Sequence, residues 1–161
     1  MHRVSQFVAH VRARVDGDEV ALAHRILAEP AARLFDAMPV ADRRHGLDVS
    51  ARLLAAGHDD PDLMAAALLH DAAKGPRMRL WHRVGGVLLE AFAPGVLRRL
   101  ASPDPASRRH AFYLYLHHAD LSAEMVLAAG GSLRTAAFIR GTAVGDDARL
   151  QRALAEADDA S

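Results

Sequence analysis

Apolar residues recur at intervals of three and four along most of the chain, which is the spacing of one face of an α-helix. Strand-like alternation is nearly absent, and β-branched residues are sparse, whereas Ala, Leu and Arg favour helix. The pattern therefore predicts an all-α fold: a single compact bundle of roughly seven to nine helices spanning residues 1–161.

Proline, glycine and capping residues indicate where these helices begin and end. Asp60-Pro61 predicts the start of a helix that runs through "DLMAAALLHDAA" and stops at Gly75. Gly57 is predicted to end the helix in "ADRRHGLDVSARLLAAG". Further predicted helical segments are "PAARLFDAM", "MRLWHRVGGVLLEAF", a short piece after Pro94, "SRRHAFYLYLHH", "DLSAEMVLAAG", "SLRTAAFIRG" and "DDARLQRALAEADDA".

Composition narrows the classes of function. Lys+Arg and Asp+Glu are equal at 20 each, so no basic surface for a nucleic acid polymer or for anionic lipid is predicted. No apolar run is long enough to span a bilayer, and the N-terminus lacks a signal-peptide core, so we expect a cytoplasmic protein. The absence of cysteine excludes disulfides and zinc–thiolate sites, while the 10 histidines indicate metal or acid–base chemistry.

Two positions combine a predicted apolar helix face with ionisable side chains. His45 shares such a face with Val49 and Leu53, and is either a core histidine bonded to a backbone carbonyl or a group lining an internal cleft. His70 and Asp71 end the most apolar helix. Burial of this pair is costly unless a cation compensates it, and a divalent metal would do so; the alternative is a solvated Asp71 with His70 capping the helix.

Two further pairs are weaker candidates. His117 and His118 end a predicted helical segment, so that at least one of them can project inward, although surface histidine pairs are common. Asp158 and Asp159 lie in an acidic C-terminal segment that is either a solvated tail or a helix. In a helix, Asp158 shares a face with Leu154, and Asp159 lies on a different face.

Together these residues resemble the HD-domain superfamily of metal-dependent phosphohydrolases. The resemblance covers about residues 39–161 and is carried by "RRHGLDVSARLL", "ALLHDAAKG" and "LAEADDA", whereas residues 1–38 carry no family signal. It implies that a divalent metal is held by four ligands: His45, His70, Asp71 and Asp158. Asp158 is preferred to Asp159 because the family's last aspartate commonly follows an alanine.

Some members of this superfamily add two histidines and hold a second metal. His118 resembles the first of these, because "HHADLSAEM" is similar to the family's "H…GA" segment, with Ser122-Ala123 in place of Gly-Ala. The second histidine should follow an "IR" pair, and Gly141 stands at that place. The resemblance therefore implies a complete one-metal site and an incomplete two-metal site.

The activity implied by the resemblance is metal-dependent hydrolysis of a small phosphorylated metabolite, with a nucleotide as the first choice. Asp71 would orient the nucleophilic water, Lys74 would hold a phosphate oxygen, and His118 would act as an acid or as a partial second ligand. Weaker candidates for phosphate contacts are Arg44, Arg79 and Arg140.

Several alternatives stay open on the sequence alone. The metal could be Mn, Fe, Co, Ni, Zn or Mg. The oligomeric state is undetermined, a homodimer included. A catalytically degenerate module that binds a ligand or partner without turnover is the alternative function, and a purely helical scaffold is a third.

Overall fold

The computed structural model describes residues 14–76, 78 and 80–161, apart from the side chains of Leu80 and Arg83. Within this part of the chain the regular elements are α-helices and one 3-10 turn, with no strand, which confirms the all-α prediction. The helices are α1 (Gly17–Ile26), α2 (Glu29–Ala37), α3 (Val40–Ala55), α4 (Pro61–Leu69), α5 (Leu80–Phe92), α6 (Pro94–Leu100), α7 (His110–Ala128), α8 (Leu133–Arg140) and α9 (Ala148–Asp159), and the 3-10 turn is Gly145–Asp147.

Local capping signals place most helix ends as predicted. The Asp60 carboxylate accepts hydrogen bonds from the N–H groups of Asp62 and Leu63 at the start of α4. Gly57 follows the last turn of α3 at a φ of 83°, a left-handed conformation that favours glycine. The sequence prediction is therefore confirmed at both ends of the α3–α4 connection.

Two helix boundaries differ from the prediction. Helix α4 ends at Leu69 instead of running on toward Gly75, so that residues 70–76 form consecutive turns with His70 as the C-cap. The N–H of Lys74 donates to the carbonyl of Asp71, three residues back, so the α-helical ladder is not continued. The two segments predicted on either side of residue 119 are one continuous helix, α7. His117 and His118 therefore lie inside a helix and not at its end.

Helix α4 lies at the centre of the packing. All of its residues from Leu63 to Leu69 except Ala65 are buried, and it contacts α1, α2, α3, α8 and α9. Helices α5 and α6 contact α7 at one side of the molecule. Helix α4 therefore packs against both α3 and α9, the helices that carry His45 and Asp158. None of the described helices has the length and apolar character needed to cross a membrane.

Candidate metal centre

Three side chains from three distant segments meet beyond the end of α4. Nε2 of His45 in α3 lies 2.7 Å from Oδ1 of Asp158 in α9, and Nε2 of His70 lies 3.5 Å from the same oxygen. One potential ligand atom from each of these residues lies within 4.8 Å of the other two. We call these three residues the candidate metal centre.

Asp71, predicted as a fourth ligand, is not a member of this cluster but lies next to it, beside His70. Its side chain is 1% exposed, and its Oδ1 lies 3.5 Å from Nε2 of His70 and 3.9 Å from Nε2 of His118. Its Oδ2 accepts a hydrogen bond of 2.6 Å from Nζ of Lys74. The alternative of a solvated Asp71 is therefore wrong, and one carboxylate oxygen stays directed toward the histidines.

Backbone carbonyls fix the orientation of two histidine rings. Nδ1 of His70 donates to the carbonyl of Ala67 at 3.0 Å, and Nδ1 of His118 donates to the carbonyl of Tyr115 at 2.9 Å. Because a carbonyl only accepts, each Nδ1 must carry a proton, and Nε2 of the neutral ring then presents its lone pair. This is the arrangement that second-sphere partners give to metal-binding histidines.

Two buried atoms at the site have no hydrogen-bond partner. They are Nε2 of His70 and Oδ1 of Asp71. A buried acceptor without a donor costs roughly 1–3 kcal/mol, so such pairs are rare unless a ligand satisfies them. Imidazole nitrogen and carboxylate oxygen are ordinary ligands of divalent transition metals. The residues present therefore fit a divalent cation by their donor chemistry.

The charges of the site keep its carboxylates ionised. Burial by itself raises the pKa of the Asp71 carboxyl, but the positive charge of Lys74, joined by that of His70 when its ring is protonated, outweighs burial and lowers the pKa below its usual value. Burial likewise opposes ionisation of Asp158, whose pKa is nevertheless lowered by the hydrogen bond from His45 and by the proximity of His70. Both residues thus carry negative charge at neutral pH, as metal ligands require.

The pKa values of His70 and His118, the two histidines near Asp71, are shifted in opposite directions. Burial lowers the pKa of His70, but the neighbouring carboxylates of Asp71 and Asp158 more than offset it, so its pKa is raised. Burial also lowers the pKa of His118, and the Lys74 charge lowers it further despite the opposing charge of Asp71. His118 is therefore held as a neutral imidazole near neutral pH.

Gly46, next to His45, brings α3 against the end of α4. A Cβ at this position would lie 2.9 Å from the Leu68 carbonyl oxygen and 3.2 Å from that of Ala67, the acceptor that orients His70. Only glycine allows this approach without movement of a backbone. This role of Gly46 was not predicted from the sequence, although an isolated glycine inside a helix is less favourable than alanine and can mark a packing contact.

Ser122 connects α7 to the turn that follows α4. Its fully buried hydroxyl accepts a hydrogen bond of 3.0 Å from the N–H of Ala73. Ser122 lies one helical turn beyond His118 on the same face of α7. No short-range motif predicts this contact, because its two partners are 49 residues apart.

Only one member of each adjacent pair, His117-His118 and Asp158-Asp159, lies at the site. His118 faces Asp71, whereas His117 is exposed and its ring centroid lies 4.5 Å from that of Tyr113. Asp158 bonds to His45, whereas Asp159 is exposed. The C-terminal segment is a helix that contributes a side chain to the site, so the alternative of a solvated tail is wrong.

The predicted phosphate-binding arginines are not brought to the centre by any described contact. Arg44 pairs with Glu19, and with Asp48 at 2.9 Å. Arg140 lies 3.6 Å from Asp120, and Arg79 lies outside the described residues. Their contact with phosphate stays a prediction.

Gly141 ends α8 in a left-handed conformation with a φ of 72°. A Cβ built on it would meet no atom within 4 Å, so the position is open and carries no ligand. Among the described residues, His45, His70 and Asp158 are the one group with ligand atoms clustered in this way.

The candidate metal centre has no matched relative with which its geometry can be compared. Comparisons of the chain with protein-family models, with curated proteins and with solved structures find no match. Function is therefore inferred from the described side chains themselves.

Proposed function

We propose that the candidate metal centre binds a divalent cation and that the chain is a metal-dependent phosphohydrolase of the HD type. The observation that carries the proposal is the convergence of His45, His70 and Asp158, with the unpartnered Nε2 of His70 beside the unpartnered Oδ1 of Asp71. The substrate class is a small phosphorylated metabolite, a nucleotide in the first place, in the cytoplasm.

A bound divalent cation would supply Lewis-acid chemistry, lowering the pKa of a water ligand and neutralising phosphate charge. Asp71 uses Oδ2 to hold Lys74, which leaves Oδ1 free to accept a hydrogen bond from the attacking water and to orient it. The Lys74 ammonium carries three donors, so it can keep its bond to Asp71 and donate to a phosphate oxygen with another. Asp71 and Lys74 would thus hold the nucleophilic water and the phosphate group next to each other.

His118 acts in this proposal as a proton acceptor. Its Nδ1 proton is engaged by the Tyr115 carbonyl, and its lowered pKa keeps Nε2 unprotonated near neutral pH. A neutral imidazole 3.9 Å from Asp71 can take up a proton relayed from the nucleophile. This favours a basic role for His118 over the acidic role that was expected from the sequence.

Metal analysis and a substrate panel test the proposal together. The purified protein is expected to contain or to bind a divalent ion, and to hydrolyse at least one compound of a nucleotide and phosphomonoester panel. Asp71→Ala should abolish turnover, whereas His24→Ala, at an exposed histidine paired with Asp36, should leave it unchanged. If the wild-type protein binds no metal in titration, the proposal is wrong. If turnover survives Asp71→Ala, the site is misassigned.

The alternative is a ligand-binding module without turnover, and the open position at Gly141 favours it. Glycine stands there in place of the histidine that would complete a second metal site, and the described residues offer one cluster of ligand atoms. Calorimetric titration with non-hydrolysed nucleotides separates the two functions. Tight binding with no product over the whole panel would support the module.

A further inference from the structure

The turn over residues 70–76 carries three of the proposed functional groups: His70, Asp71 and Lys74. It leaves the helical ladder at Leu69, so the N–H of Ala73 donates to a partner outside the helix. That partner is the hydroxyl of Ser122 in α7, at 3.0 Å. The turn is thus joined to α7 by the hydroxyl of a side chain that is 0% exposed.

Helix α7, which carries Ser122, also carries His118, which lies near Asp71 in the turn over residues 70–76. Ser122 and His118 are four residues apart on α7, so they lie on one face about one helical turn apart. Any shift of the turn along α7 therefore changes the 3.9 Å separation between Asp71 and His118, and also moves His70 relative to Asp158.

We propose that Ser122 is a positioning residue of the candidate metal centre: its hydroxyl holds the turn against α7 and so sets where His70 and Asp71 lie. The inference rests on the proposed metal site and extends it to a residue that touches neither metal nor substrate. Loss of an outer partner of a metal ligand typically lowers metal affinity about 10–100-fold. Ser122 bonds to the backbone of Ala73 and not to a ligand itself, so we expect a loss at the lower end of this range, about 10-fold, when the hydroxyl is removed.

The matched pair for the test is Ser122→Ala with Ser50→Ala. Ser50 is also buried, but its hydroxyl donates to the Leu47 carbonyl within α3. The full-length variants are titrated with Co²⁺ in a calorimeter, and the absorption spectrum of the bound Co²⁺ is recorded. Exchange of the Ala73 amide is followed by NMR in metal-free protein. Ser122→Ala should bind Co²⁺ about 10-fold more weakly, with an altered spectrum and faster Ala73 exchange, while Ser50→Ala matches the wild type.

The outcomes separate this inference from the proposed function. Unchanged Co²⁺ affinity and spectrum in Ser122→Ala overturn the positioning role, even if the melting temperature falls, because the hydroxyl is then only structural. An equal loss of affinity in Ser50→Ala overturns it as well, since the effect is then general. A wild-type protein that binds no Co²⁺ overturns the proposed function and the positioning role together.

Discussion

His45 and Asp158, which are 113 residues apart in the chain, are joined by a hydrogen bond of 2.7 Å between Nε2 and Oδ1. The bond ties α3 to α9 at the point where the C-terminal end of α4 delivers His70. Two potential metal ligands therefore already face one another across the site. A bound cation would replace their mutual hydrogen bond by two metal–ligand bonds.

Asp158→Asn should weaken binding of Mn²⁺ or Co²⁺ by more than about 100-fold, because a neutral amide replaces a carboxylate ligand while an outer-sphere change alone costs about 10–100-fold. Asp159→Asn is the matched control, since its side chain is exposed one position further along the same helix. Isothermal titration of both variants measures the difference. Equal losses in the two variants would mean that the effect is only one of net charge.

Lys74→Met should destabilise the metal-free protein. It leaves the buried Asp71 carboxylate without the ammonium that lies 2.6 Å away, and breaking one side of a buried ion pair costs about 3–5 kcal/mol. Urea unfolding in excess chelator gives the free energy of unfolding. Asp71→Asn combined with Lys74→Met should recover part of the loss, because the double variant buries no charge. Additive losses would show that the two side chains do not interact.

The effect of Lys74→Met depends on pH. Lys74 helps to hold the pKa of Asp71 below its unfolded-state value of about 3.9, so this stabilisation is present above that pH and is lost as pH falls through the folded-state pKa. The difference in stability between wild type and Lys74→Met is therefore expected to be largest near pH 7 and to shrink in acid. A difference that grows as the pH is lowered from 7 to 3 would contradict this assignment.

Gly46→Ala should both destabilise the fold and weaken metal binding. The added methyl would lie 2.9 Å from the Leu68 carbonyl oxygen, and overpacking of this kind costs about 1–3 kcal/mol. Moving α3 away also moves His45 from His70. Gly95→Ala is the control, because a Cβ built at this position in α6 meets nothing within 4 Å. Alanine there should raise the free energy of unfolding by up to about 1 kcal/mol. Thermal unfolding with and without Co²⁺ checks both effects.

Arg134→Met should weaken the dependence of the melting temperature on pH between pH 7 and pH 3. Arg134 donates to Asp60, Asp62 and Asp147 and so joins the start of α4 to α8 and the 3-10 turn. Burial opposes ionisation of Asp62, but hydrogen bonds from Ser132, Thr135 and Arg134 lower its pKa. The Arg134 hydrogen bond also lowers the pKa of Asp147.

The sign of this pH dependence follows from the lowered carboxyl pKa values. Their contribution to stability is present above about pH 3.9 and is lost as pH falls through the folded-state pKa values. The melting temperature of Arg134→Met should therefore lie below that of the wild type at pH 7 and approach it at pH 3. Arg33→Met, at an exposed pair with Glu29, serves as control and should change little at either pH. If the melting temperatures of wild type and Arg134→Met differ by the same amount at every pH, the ion pairs of Arg134 do not stabilise the fold.

Helix identity and several helix ends were predictable because they depend on residues close together in the sequence. Apolar spacing predicts the helices, and Asp60-Pro61 and Gly57 act on backbone groups within one turn. The end of α4 was not predictable in this way. "LLHDAAKG" has no helix breaker before Gly75, and it is a hydroxyl from α7 that accepts the Ala73 N–H outside the helical ladder.

The ligand candidates were likewise visible in the sequence, because a histidine or aspartate on an apolar helix face is conspicuous wherever it lies. Their mutual distances, the choice of His118 over His117, and the pairing of Lys74 with Asp71 were decided by tertiary structure. These depend on how closely α3, α7 and α9 approach the end of α4. Gly46 and Ser122 set that approach through contacts with backbone groups more than twenty residues away, for which no local spacing exists.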